Sequence, residues 1–169
     1  MSFAGNKLVF EGGYEFAKFS AVDDVVMASQ IDEVCLGNFP CSLVVGEKEV
    51  IFVSKEYEEE LRQFAVANGL SLSQRVDIWS LINEDFLVGD LDDDHRNEVL
   101  KILGRQGVDL DEALLLRARL ADLMEDYNDL HLDDFDLSHY DLLLAVEAGL
   151  DQDFYHWTME VALRNFPGG

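Results

Sequence analysis

The apolar positions change period once along the chain, and that change organises everything else. Lys7–Glu11 and Tyr14–Phe19 flank Gly12-Gly13, a spacing that predicts a β-hairpin. Ser42–Val45 and Val50–Ser54 flank Gly46-Glu47-Lys48-Glu49 and predict a second. Between them, Val22, Val25, Val26, Ser29 and Asp32/Glu33 recur at helical spacing, so Val22–Val34 reads as a short helix. Asn38-Phe39-Pro40 breaks the chain after it.

From Ser54 onward the period is helical. Ser54 is a candidate N-cap, acids follow it in the first turn, and Gly69 closes that helix. Ser73–Leu87 predicts a second helix with Val76, Trp79 and Ile82 on one stripe. Asp92–Asp94 caps a third, with Val99, Ile102 and Leu103 as its apolar side and Gly104 and Gly107 as stops. Asp109-x-x-Glu112 has the form of a capping box and opens the longest helix, to about Asn128. Ser138-x-x-Asp141 begins another, ending at Gly149, and Asp151 or Asp153 begins the last, which runs to about Asn165 before Pro167. The expectation is an α+β fold: a small N-terminal antiparallel sheet of two hairpins followed by about six helices. One compact domain over 1–169 is expected, β-rich over 1–54 and helical over 55–169.

Charge changes this picture. Thirty-five acids oppose twelve bases, a formal charge of −23 in 169 residues. Solubility alone asks for a magnitude of only ~2–8 in a small domain. Eleven Phe, five Tyr and two Trp argue against an acidic disordered chain. The excess is also uneven. Residues 1–119 hold eleven of the twelve bases, while the stretch between Leu120 and Leu163 holds none and carries twelve acids. A uniformly acidic surface, of the sort a salt-rich cytoplasm favours, would not be so lopsided.

In the long helix, Leu116, Leu120, Leu123, Tyr127 and Leu130 predict a core stripe, and Asp122, Glu125, Asp126 and Asp129 a separate row of carboxylates. Like charges at i, i+4 cost a helix about 0.2–0.5 kcal/mol per pair, and no local lysine relieves them. Neighbours in such a row lie roughly 5–6 Å apart at Cβ, comparable with phosphates along a DNA strand. Asp133, Asp134 and Asp136 around Phe135 extend the row with an aromatic anchor. These eight residues are the candidate partner-binding set. They predict a non-enzymatic inhibitor or binding protein that covers a basic surface of a partner protein, as an immunity protein, an antitoxin or a nucleic-acid mimic does. Nucleic acid itself is an unsuitable partner, because its phosphates would be repelled.

Sites for chemistry are few. Asp90, Asp92 and Asp94 imitate the start of a calcium loop, but His95 stands where glycine is needed and Lys101 where a bidentate glutamate is needed. Asp153, His156, Glu160 and Arg164 share one stripe of the last helix. Asp153, His156 and Glu160 are the weak metal-ligand candidates, and a metal-dependent enzyme is the alternative function. The same spacing makes a polar face with a Glu160–Arg164 ion pair. No cofactor is expected, and no nucleophile elbow or phosphate-cradling loop is present. Tyr140–Leu163 could be drawn as a helix-turn-helix, but Asp151, Asp153 and Glu160 would oppose DNA. Cys35 and Cys41 are expected to be buried reduced thiols. Without a signal peptide or a long apolar run, the expectation is a soluble cytoplasmic protein with no membrane contact. The aromatic last helix also suits packing against another copy, so a homo-oligomeric assembly subunit is a further alternative.

Overall fold

The computed structural model describes residues 1–87, 92–130, 137–146 and 149–167. The fold is α+β, with a small antiparallel sheet at the N-terminus, a second sheet and six helices among the described residues.

The first sheet joins β1 (Ser2–Ala4), β2 (Lys7–Val9) and β3 (Val25–Met27), all antiparallel. Its hairpin turns at Gly5, with φ +61°, and not at Gly12-Gly13 as expected. The two glycines do form a turn, closed by Gly13 N–H donating to the Phe10 carbonyl. Tyr14–Phe19 does not follow as a strand. It coils through local turns (Ala17 N–H to Tyr14 O, Phe19 N–H to Phe16 O) that bury Tyr14 and Phe16. Hydrophobic collapse of those two rings outweighs their β propensity.

The expected Val22–Val34 helix is replaced by β3, one 3-10 turn (Ala28–Gln30) and β4 (Ile31–Cys35). Its Val and Ile side chains are branched at Cβ, which suits a pleated surface and restricts χ1 in a helix. The second predicted hairpin stands: β5 (Cys41–Val45) pairs with β6 (Glu49–Val53) through a turn with Gly46 and Glu47 at positive φ. β5 and β6 are buried along their whole length. That burial includes Glu49, whose carboxylate accepts from Ser20 Oγ at 2.7 Å and from the Ala21 N–H at 3.0 and 3.1 Å.

After β6 the chain enters α1 (Glu58–Asn68), ended by Gly69 at φ +66°, and returns as β7 (Leu72–Ser73). β7 lies parallel to β4, giving the order β6-β5-β4-β7. The second sheet therefore recruits a strand from beyond residue 54, the expected end of the β-rich part. β7 also shortens the predicted second helix: α2 covers only Ile78–Asn83, capped by Asp77, with Val76 outside it.

The remaining helices are α3 (Asp93–Arg105), α4 (Leu110–Leu130), α5 (His139–Val146) and α6 (Gln152–Ala162). Asp92, Asp109 and Asp151 cap α3, α4 and α6, each accepting from a backbone N–H three residues on. Ser138 and Asp141 form a reciprocal box at α5: the Ser138 N–H and Oγ donate to Asp141 at 2.8 and 2.6 Å, and the Asp141 N–H reaches Ser138 Oγ at 3.4 Å. Ser138→Ala is expected to lower stability by about 1 kcal/mol, read as a shift in the urea midpoint with unchanged slope.

Buried residues of both sheets and of the helices form one connected cluster. Trp79 sits at its centre, fully buried, with its indole N–H donating to the Thr158 carbonyl of α6 at 2.8 Å. Among the described residues no helix is long and apolar enough to cross a membrane.

Candidate functional site

The long helix α4 has its two predicted faces, with the buried one rotated from the expected leucine stripe. Ala113, Leu116, Arg117, Leu120, Met124 and Asn128 are buried, while Leu123 and Tyr127 are half-buried. Two polar residues lie on the core face because they serve backbone carbonyls. Arg117 donates to Ile82 O and Leu81 O at 3.2 and 3.3 Å, and Asn128 donates to Phe86 O at 2.9 Å. Those carbonyls lie at the end of α2 and in the 3-10 turn after it, where helical partners run out.

The opposite face carries Asp122, Glu125, Asp126 and Asp129, all exposed. None of the four has an ion-pair partner among the described residues. The nearest cations in sequence are engaged elsewhere. Arg117 pairs with Asp85 at 3.4 Å, and Arg119 lies over the ring of Trp157, 3.9 Å from its centroid. Asp133, Asp134, Phe135 and Asp136 lie outside the described residues.

Leucines that the sequence reading passed over share this face. Leu114 and Leu115 are 51% and 71% exposed. At 3.6 residues per turn, Leu114, Leu115, Ala118, Asp122, Glu125, Asp126 and Asp129 fall within an arc of about 120° opposite the buried side. The face opens with exposed Asp111, carries Leu114 and Leu115 next, and is anionic at its end. The signal was legible: these leucines sit off the Leu116–Leu120–Met124 stripe.

The last-helix constellation is looser than its spacing suggested. Asp153, His156 and Glu160 are all exposed. His156 Nε2 lies 2.8 Å from Gln152 Nε2, and His156 and Glu160 border a groove of about 600 Å³ with Glu47 and Glu49. The expected Glu160–Arg164 pair is not made. Arg164 instead holds Glu112 through both terminal nitrogens, Nη2 to Oε1 at 2.6 Å, tying α4 to the end of α6. A bidentate fork to a carboxylate on another element outweighs a single i, i+4 contact. Among the described residues, no three His, Cys, Asp or Glu side chains are gathered closely enough to hold a metal ion.

Cys35 and Cys41 are free and buried, and burial pushes the Cys41 thiol pKa up, so it is a poor nucleophile. A cleft of about 740 Å³ opens where β4 and β7 end and is bordered by Lys55, Arg62 and Arg75. Those cations are already paired: Lys55 and Arg62 with Glu58 at 3.0 and 2.8 Å, and Arg75 with buried Glu33. No family model, curated protein or solved structure matches the chain.

Proposed function

We propose that this protein is a non-enzymatic acidic binding protein whose α4 face covers a basic surface of a partner protein, in the manner of an immunity protein, an antitoxin or a nucleic-acid mimic. The observation that carries the reading is the absence of any ion-pair partner, among the described residues, for Asp122, Glu125, Asp126 and Asp129, while Arg117 and Arg119 are committed to Asp85 and Trp157. Four exposed carboxylates on two turns raise the energy of the free helix, and a cationic partner relieves that repulsion. Leu114 and Leu115 supply the apolar contact that charge alone lacks. Pairing of α4 with its own copy is disfavoured when the two helices run parallel, because carboxylates then meet carboxylates.

Opposed charge gives speed and partner choice, and screening by salt weakens both. The test is capture of a partner by the immobilised chain at about 0.05 M and about 0.5 M salt, where the Debye length shrinks severalfold. A captured protein with a basic surface and a steep loss at high salt are expected. The triple variant Asp122→Lys, Asp126→Lys, Asp129→Lys is expected to lose capture by at least about 100-fold while its far-ultraviolet circular dichroism is unchanged. Salt-insensitive capture, or capture that survives the reversal, would end this reading.

A further inference from the structure

A void of about 10 Å³ lies where β5, β6, α5 and the segment between β7 and α2 come together. Asn38, Arg75 and Asp77 border both this void and the cleft of about 740 Å³, so the two share a wall. Val50, Phe52 and Ala162 give the void apolar sides, but five of its residues are polar: Asn38, Ser42, Arg75, Asp77 and His139. Apolar cavities stay dry, whereas polar ones that offer several partners hold water.

The hydrogen bonds around the void leave particular atoms over. Arg75 spends Nε on Glu33 and Nη1 on the Ala162 carbonyl, and its Nη2 is buried with no partner among the described residues. His139 gives its backbone N–H to Asp77 at 3.0 Å, while both ring nitrogens are buried with no partner among the described residues. The Arg75 side chain is only 5% exposed and His139 only 1%. Ser42 Oγ accepts from Asn38 Nδ2 at 3.1 Å, which leaves its own hydroxyl hydrogen to donate. A buried donor and a buried acceptor at one void are costly when neither is met.

We propose that the void is the site of one ordered water molecule, which accepts from Arg75 Nη2 and the Ser42 hydroxyl and donates to a ring nitrogen of His139. Size and charge select this occupant. The volume admits about one water. A cation would meet Arg75, and an anion finds no charge to spare, because Arg75 is matched by Glu33 and Asp77 borders the void. A guanidinium only donates, whereas a neutral imidazole keeps one nitrogen as an acceptor, so the occupant must both accept and donate. Water does both, and three bonds are usual for a buried one. It ties β5 through Ser42, the segment before α2 through Arg75, and α5 through His139.

High-resolution crystallography of the full wild-type chain tests the site directly. A fully occupied water is expected within about 3.2 Å of both Arg75 Nη2 and a His139 ring nitrogen. Absence of density there, or a water out of reach of either group, overturns the proposal. Occupancy in solution is read by magnetic relaxation dispersion of the water oxygen, which counts long-lived waters. His139→Phe sets a larger, wholly apolar ring at the void, and it is expected to lose one long-lived water relative to wild type. Equal counts in the two proteins overturn the proposal. Ser42→Ala deletes one of the three bonds and keeps the strand, so the water is expected to stay but to exchange severalfold faster. An unchanged residence time in that variant overturns the assigned bonding.

Discussion

Arg75→Met is expected to destabilise the fold by about 3–5 kcal/mol, the usual cost of stripping the counter-charge from a buried carboxylate. The side chains of Arg75 and Glu33 are only 5% and 9% exposed. Nε of Arg75 donates to Glu33 on β4, and Nη1 donates to the Ala162 carbonyl at the end of α6, at 3.0 Å. One guanidinium therefore joins the second sheet to the last helix. Without it, the Glu33 carboxylate is left without its counter-charge in a site with little water. The double variant Glu33→Met, Arg75→Met removes both charges and is expected to recover most of the loss, because apolar replacement of a whole buried pair is often neutral. Urea unfolding of wild type, both single variants and the double variant gives the coupling directly. A single-variant cost below about 1 kcal/mol would mean the pair behaves as a surface contact and that this junction does not hold the layers together.

Acid is expected to act on His139. Its ring is fully buried, meeting Phe52 edge-on with centroids 5.2 Å apart, and neither ring nitrogen has a hydrogen-bond partner among the described residues. The imidazole and Arg75 border a void of about 10 Å³, roughly the room one water needs. Burial first, and the nearby Arg75 charge second, push the His139 pKa from 6.5 down to about 3. The unfolded chain thus takes up a proton that the folded chain refuses. Stability present above pH 6.5 is lost as the pH falls toward 3, by about 3 kcal/mol between pH 7 and 4. The acidic surface pulls the other way, since protonating its carboxylates relieves self-repulsion. Comparing wild type with His139→Phe isolates the histidine: the variant keeps an edge-to-face ring and has nothing to protonate. The stability difference between the two is expected to move by about 3 kcal/mol in favour of the variant across that interval. Parallel curves would show that the ring titrates as it does in water.

Local signals were read well from the sequence. Asp92, Asp109, Ser138 and Asp151 begin the helices they were expected to begin, and Gly69 ends α1 in the left-handed conformation. A cap needs only its own next few residues, so its effect is the same wherever the helix packs. The β5–β6 hairpin was legible for a similar reason, as a short turn between two apolar runs. The Val22–Val34 region misled because its valines fit two periods, and the choice fell to the edges offered by β2 and β5. Leu72-Ser73 carries no strand signal of its own, and only the exposed edge of β4 makes it one.

The candidate surface divides the same way. Spacing alone placed Asp122, Glu125, Asp126 and Asp129 on a face apart from the core, and their exposure follows. Whether cations would neutralise them was beyond any pattern. The lopsided distribution of charge and the places where helices start belonged to the sequence, because both depend on composition or on neighbours a few bonds away. The fates of Arg75, Arg117, Arg119 and Arg164 belonged to the tertiary structure. A long guanidinium side chain takes its partner from whatever packing brings within reach, and here that was Glu33, Asp85, Trp157 and Glu112, each on an element distant in the chain.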